Sequence, residues 1–208
     1  TRRVAEYNNV ICDETFTGFK FLAEKVSGWK KEDINYLMAF EESYGYMFGD
    51  YVRDKDAVTA SMVIVEMAAY YYKQGMTLAD AMKALYEQYG WSSALTLHLV
   101  MPGLAKMKEL MAKLRTTPPT EIGGIKVSKI RDYADGSVIV PELGKLGETP
   151  IKGSNVLYYE LADRSVFIVR PSGTEPKIKT YFTTMGKDLA EAKAKKEKLA
   201  EAIKPILA

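Results

Sequence analysis

Residues 155–183 read NVLYYELADRSVFIVRPSGTEPKIKTYFT. Three runs in this stretch are rich in β-branched and aromatic residues: Asn155 to Leu161, Ser165 to Arg170 and Lys177 to Thr183. Ala162-Asp163-Arg164 is a tight hairpin connection between the first two. The small-residue loop PSGTEP joins the second to the third. Ile125 to Tyr133 reads as a further strand. Lys187 to about Ile203 reads as a closing helix, with Leu189, Ala192, Leu199 and Ile203 on its buried side. Strands paired by hairpins and covered by a helix predict an antiparallel α+β domain.

Upstream the pattern changes. Ile34 to Phe40 (INYLMAF) is a nearly continuous apolar run, which predicts a strand buried on both faces. The polar loop EESYGYMFGDYVRDKD follows, with Gly45 and Gly49 at its turns. A helix is expected from about Asp56 to Lys73, ending at Gly75, with its apolar residues buried. Thr77 opens the next helix, and Asp80 three residues later completes a capping box. Leu78, Met82, Leu85 and Tyr89 form its apolar stripe. The Tyr70-Tyr71-Tyr72 cluster and the methionines read as core. Leu95 to Val100 suits a strand, and Leu104 to Leu114 a short helix. With the boundary near Pro102, the expected architecture is α/β plus α+β. Residues 1–102 form an α/β domain with a mixed sheet and helices. Residues 103–208 form a smaller antiparallel-sheet domain.

Composition excludes several functions. The chain has 208 residues and 47% hydrophobic residues, enough for a buried core and one or two domains. Its net charge of +2 is too small for a dedicated nucleic-acid binder. The balance is uneven: −4 over residues 1–102 and +6 over 103–208. One cysteine, Cys12, excludes an internal disulfide, and one histidine, His98, leaves no Cys/His zinc cluster. The most apolar stretch, Ala57 to Tyr72, is short for a membrane span and carries Glu66. No apolar leader opens the chain. A cytoplasmic protein without a membrane partner is expected, and the opening Thr1 reads as the edge of a processed or truncated chain.

Three loops have the chemistry of a ligand site. In Arg170-Pro-Ser-Gly-Thr-Glu-Pro176, Arg170 offers a planar charged fork suited to phosphate. Ser172 and Thr174 offer hydroxyls, and Gly173 lets backbone N–H groups approach an anion. Lys177 and Lys179 add positive charge. Glu41-Glu42-Ser43 follows the apolar run, where α/β folds place ligand loops; its carboxylates and hydroxyl suit sugar hydroxyls. Thr17-Gly18-Phe19-Lys20 places a lysine after a glycine turn. Each loop taken alone also suits a plain turn or a solvated surface.

Together the stretches TGFKF (17–21), FEESYGY (40–46), DYVRDKDA (50–57) and RPSGTEPKIKTYF (170–182) resemble the α-D-phosphohexomutase family of phosphoglucomutases and phosphomannomutases. The order and separation of these motifs also match. The resemblance spans essentially the whole chain. It implies a C-terminal part of a four-domain enzyme: most of domain 3, lacking its first strand, and domain 4. The family's serine segment (TASHNP-like) and magnesium loop (DGDxDR-like) do not occur, so no catalytic residue and no metal ligand is expected here.

By that resemblance Glu41 and Ser43 bind the sugar hydroxyls, and Lys20 sits near the sugar phosphate. Arg170, Ser172, Gly173 and Thr174 grip the phosphate that is not transferred. Mg2+ and glucose 1,6-bisphosphate are implied for the full-length enzyme. The partners implied are a phosphorylated hexose and the missing domains 1 and 2. Phe40 stands where many phosphomannomutases have glycine, and Tyr44-Gly45-Tyr46 follows Ser43 without a histidine. The loop is thus closer to the phosphoglucomutase branch. Two other readings stay open: a non-catalytic phosphosugar-binding module, or a mutase for phosphomannose, phosphoglucosamine or a phosphopentose.

Overall fold

The computed structural model describes every residue except Glu42, Thr174 and Ala208. The chain divides into two compact units, residues 1–89 and 90–208. No described helix is long and apolar enough to cross a membrane.

The N-terminal unit contains α1 (Arg2–Tyr7), α2 (Phe19–Lys31), β1 (Met38–Phe40), β2 (Tyr46–Phe48), α3 (Ala57–Tyr72) and α4 (Leu78–Tyr89). β1 and β2 form an antiparallel ribbon, with Ala39 opposite Met47. One face of this ribbon is covered by α2: Phe19 and Val26 pack on Ala39 and Met47. The local start and stop signals act as the residue types dictate. Asp56 caps α3 by accepting the N–H groups of Val58 at 2.9 Å and Thr59 at 3.4 Å. Thr77 and Asp80 exchange hydrogen bonds as a capping box before α4. Gly75 closes the end of α3 at φ +71°.

Burial in this unit departs from the sequence reading. The expected strand over 34–40 shrinks to three residues, and only Ala39 in it is buried. The run is apolar on both faces, but the ribbon offers β1 one neighbouring strand and one covering helix. Helix α3 buries only Ala60; Val58, Val65 and Tyr72 are exposed by 79%, 67% and 82%. A helix apolar all round needs cover on more than one side, and within this unit β2 and α4 supply the contacts. The α4 stripe also stays open: Met82 is exposed, and the buried residue is Ala81.

The C-terminal unit contains β3 (Trp91–Val100), α5 (Leu104–Thr116), β4 (Glu121–Ile122), β5 (Ile125–Asp132), β6 (Ser137–Val140), β7 (Gly144–Glu148), β8 (Leu157–Leu161), β9 (Val166–Pro171), β10 (Lys177–Gly186) and α6 (Leu189–Ile203). The sheet order is β3-β10-β9-β8-β5-β6-β7, with β4 beside β5, and every pair is antiparallel. Strict alternation puts Ile178, Thr180, Phe182 and Thr184 of β10 inside and Lys177, Lys179 and Tyr181 outside. The core joins the inward faces of the strands to Met107, Leu110, Met111 and Leu114 of α5 and to Leu199 and Ile203 of α6. Tyr159, Phe167 and Phe182 stack across three strands, with ring centroids 5.5 and 5.1 Å apart. Arg115 locks the end of α5 to β5 with a two-pronged bond to Asp132, at 2.5 and 3.1 Å.

Three expectations change here. Residues 91–100 pair with β10 over ten residues, so β3 starts at Trp91, before the expected Leu95, and packs with the compact unit of residues 90–208. β6 and β7 are additional strands, hidden in the sequence by their shortness and by Gly144 and Gly147. Leu189 is 38% exposed, and Ala200 takes a place on the buried side of α6.

Candidate functional site

The N-terminal candidate loop grows directly from the ribbon. Glu41 follows β1, and its backbone N–H bonds the carbonyl of Gly45 at 3.0 Å, closing the turn. A second bond, from the N–H of Asp56 to the carbonyl of Tyr46 at 2.9 Å, ties the return strand to the cap of α3. Gly45 is buried. A Cβ there would lie 2.7 Å from Cδ of Lys55 and from Cε2 of Phe19, so only glycine fits without displacement. Lys55 lies over the Phe19 ring, 4.6 Å from its centroid. Ser43 and Tyr44 stand exposed at the tip, with Tyr44 at φ +65°.

The carboxylate of Glu41 accepts the backbone N–H of Gly18 at 2.6 Å. Gly18 caps the start of α2 at φ +126°, a conformation open to glycine. One hydrogen bond therefore joins the Thr17–Lys20 turn to the Glu41 loop, which the sequence presents as separate signals. Lys20 is exposed in the first turn of α2, with its ammonium 4.7 Å from the centre of the Phe21 ring. Lys55, immediately before the capping Asp56, also belongs to this loop through its contact with Phe19.

The C-terminal candidate loop connects β9 to β10. Its ends are held by the N–H of Ser172 on the carbonyl of Lys177 and by the N–H of Met101 on the carbonyl of Pro176, both at 2.8 Å. Ser172 Oγ accepts the N–H of Glu175 at 3.3 Å. Gly173 is exposed, has no positive φ, and a Cβ there would meet nothing within 4 Å. The turn itself does not require glycine at this position, and the space beside it is open. Thr174, the remaining hydroxyl of this loop, lies outside the described residues. Lys177 pairs with Glu175 at 2.9 Å, and the ammonium holds that carboxyl below the usual carboxylate range.

Sheet register adds residues that the motif does not contain. Lys179 is directly opposite Arg170 on one side and His98 on the other. These three side chains form one row on the face away from the α5–α6 core, with Lys179 and His98 exposed. Among the described residues no ion pair forms at any of the three. A row of Arg, Lys and His side chains beside a loop with an open glycine is suited to an anion, with the Glu175 carboxylate of that loop close enough to feel the charge of Lys179. His98 lies between Leu97 and Leu99 on β3. Its position opposite Lys179 rests on pairing across eighty-one residues, which no local pattern reports.

No group of three or more His, Cys, Asp or Glu side chains among the described residues is placed to hold a metal ion. The described residues do not fit a magnesium site.

Two family models match the chain. Residues 1–89 match the phosphoglucomutase/phosphomannomutase alpha/beta/alpha domain III. Residues 103–202 match the C-terminal domain of the same family. A phosphoglucomutase of Staphylococcus aureus strain bovine RF122 is 39% identical over 186 residues, which is 88% of this chain and 33% of that protein. The phosphoglucomutase of strain USA300 is 38% identical over the same share. This chain thus spans about a third of the length of the curated relatives it matches. The open-form crystal structure of the Paramecium exocytosis-sensitive phosphoprotein pp63/parafusin, a phosphoglucomutase, aligns with a TM-score of 0.68 at 20% identity. That alignment covers 99% of this chain and 35% of that one, and is a likeness of fold. The chain therefore belongs to the phosphoglucomutase/phosphomannomutase family and carries its domain III and its C-terminal domain.

Proposed function

We propose that this chain is the substrate-binding part of a phosphoglucomutase that interconverts glucose 1-phosphate and glucose 6-phosphate. Glu41 and Ser43 read the sugar hydroxyls, and Lys20 lies on the phosphate side of that loop. Arg170, Ser172, Gly173 and Thr174 hold the phosphate that is not being transferred. Lys179 extends this grip.

In the longer protein a phosphoserine gives its phosphoryl group to the sugar monophosphate, forming glucose 1,6-bisphosphate. The bisphosphate turns round and returns its other phosphoryl group to the serine. Such chemistry needs positioning and charge stabilisation from its binding domains more than acid or base groups. Magnesium, like the serine, is assigned to the remainder of the longer protein, and this chain alone is expected to bind without turnover.

The observation that carries the reading is the Arg170–Lys179 pairing beside the open Gly173. Two cations set directly opposite each other on a sheet repel, and an anion between them relieves that repulsion. The test is a calorimetric titration with glucose 1-phosphate, glucose 6-phosphate and inorganic phosphate. The expected result is saturable binding that Arg170→Ala abolishes for all three. Glu41→Ala should weaken the sugar phosphates much more than inorganic phosphate. Unchanged affinity in Arg170→Ala, in a chain whose circular dichroism shows it folded, would sink the assignment.

A further inference from the structure

The basic row on the outer face of the C-terminal sheet has one member that the Arg170–Pro176 motif does not contain, His98. β3 stands at the end of the strand order, beside β10. His98 is opposite Lys179, and Lys179 is opposite Arg170, so the three follow one another at the inter-strand spacing of about 4.8 Å. Alternation gives them one face: Leu97 and Leu99 pack against the core, and His98 between them is exposed. Three residues further on, the N–H of Met101 bonds the carbonyl of Pro176 at 2.8 Å. The strand that carries His98 therefore anchors the base of the candidate phosphate loop.

Sheet register names the charged and titratable groups around His98 within this unit. From β10 they are Lys179, directly opposite, and Lys177 and Tyr181 on the two diagonals. Arg170 lies one strand further on. Thr96 and Val100 flank His98 on its own strand, and α6 covers the opposite face of β3. Glu175 is the carboxylate of the set. The hydrogen bond and charge of Lys177, with the charge of Lys179, hold it below the usual carboxylate range, so it stays ionised in mild acid. Lys177, Lys179 and Arg170 against Glu175 leave an excess of positive charge that an anion offsets.

An imidazole ordinarily takes up its proton between about pH 8 and 5. A phosphate monoester takes up a proton in the same range, its second ionisation lying near pH 6 or about there, and so falls from two negative charges towards one as the medium acidifies. Resting on the reading of this loop as a phosphate site, we propose that His98 is a further member of the grip, and that its imidazolium offsets the charge a phosphate ester loses in acid. Affinity for a sugar phosphate is thereby held level across the range in which the ester itself titrates. The cations of an empty row oppose the imidazolium, and a bound anion removes that opposition. Binding therefore takes up a proton, and affinity for an anion of fixed charge rises as pH falls.

Sulfate is the probe, because it keeps both negative charges from pH 5.5 to pH 8. The 208-residue chain is titrated calorimetrically with sulfate at those two pH values, and at pH 6.5 in two buffers of different ionisation enthalpy. The parent should bind sulfate about three- to tenfold more tightly at pH 5.5 than at pH 8, with proton uptake revealed by the buffer dependence. His98→Gln should flatten both readouts. His98→Lys, which carries its charge permanently, should bind at pH 8 as tightly as the parent does at pH 5.5 and take up no proton. An equal pH dependence in His98→Gln would place the titrating group elsewhere and overturn the proposal. Parent affinity independent of pH would overturn it too, while leaving the phosphate site standing. No sulfate binding at either pH, by a chain whose circular dichroism shows it folded, would remove the phosphate reading and the role of His98 with it.

Discussion

Glu41 reaches across twenty-three positions of sequence to accept the backbone N–H of Gly18 at 2.6 Å. Through this bond the turn before α2 and the loop after β1 are one structure. The acceptor is charged, and charge-assisted hydrogen bonds are stronger than neutral ones. Glu41→Gln keeps the shape and removes the charge. The expected cost is about 1 kcal/mol of local stability, read as faster hydrogen exchange at the Gly18 amide. Exchange at Gly18 equal to that of the parent would show that the bond does not form in solution.

Gly45 is the tightest point of the same loop. Gly45→Ala forces a methyl group against Lys55 and Phe19. Overpacking of this kind costs about 1–3 kcal/mol, measured from the denaturant midpoint. Lys55 is flexible and can swing away; Phe19 is buried and cannot. Adding Lys55→Ala should therefore recover only part of the loss. Complete recovery would mean that Phe19 does not restrain the loop.

The opposed cations of the C-terminal unit predict a conflict between stability and binding. Lys179→Thr removes the like charge facing Arg170 and places a good strand former on β10. Stability should rise by about 0.2–1 kcal/mol. Affinity for inorganic phosphate should fall. A variant that gains stability and keeps its phosphate affinity would detach Lys179 from the site.

Asp163 in the β8–β9 hairpin faces Lys195 of α6 at 3.2 Å. The Oδ2 atom that faces this ammonium is buried. Burial pushes the Asp163 carboxyl up, but hydrogen bonds from Ser165 and the charge of Lys195 outweigh it and leave the carboxyl below its usual value. A depressed carboxyl contributes stability above its unfolded value, near 4, and loses that contribution as pH falls through the folded value. Burial likewise opposes the charge on Lys195, but Asp163 and Glu191 outweigh it and raise the ammonium. That contribution is complete below its unfolded value and is lost only at strongly alkaline pH. Asp163→Asn should therefore lower the urea midpoint at pH 7 and leave a smaller difference from the parent at pH 3. A difference as large at pH 3 as at pH 7 would rule out this ionisation as the source.

Arg115 and Asp132 fix the last turn of α5 to the sheet. Asp132→Ala leaves the half-buried guanidinium without its fork partner and should cost about 2–3 kcal/mol. Arg115→Lys should also lose much of this stability, because an ammonium cannot make the two-pronged contact. Thermal unfolding of the two variants checks both statements, and a lysine variant as stable as the parent would contradict the second.

What was legible in the sequence was local. Alternation with a period of two marked β8, β9 and β10, and a three-residue hairpin joined the first pair. Thr77 with Asp80, and Asp56 before Ala57, announced helix starts whose bonds the structure contains. The loops at 41–45 and 170–176 were visible because their chemistry lies in consecutive residues. Tertiary structure decided what depends on distant partners. The ten residues of β3 join β10 across about eighty positions, which places β3 in the compact unit of residues 90–208 and sets His98 beside Lys179. Apolar runs at 34–40 and 57–72 stated that cover was needed without stating what supplies it, so the burial expected for them did not follow. The physical reason is the same throughout: turns, caps and alternation act within a few residues, whereas strand neighbours, buried faces and the bond from Glu41 to Gly18 are chosen by which surfaces the folded chain brings together.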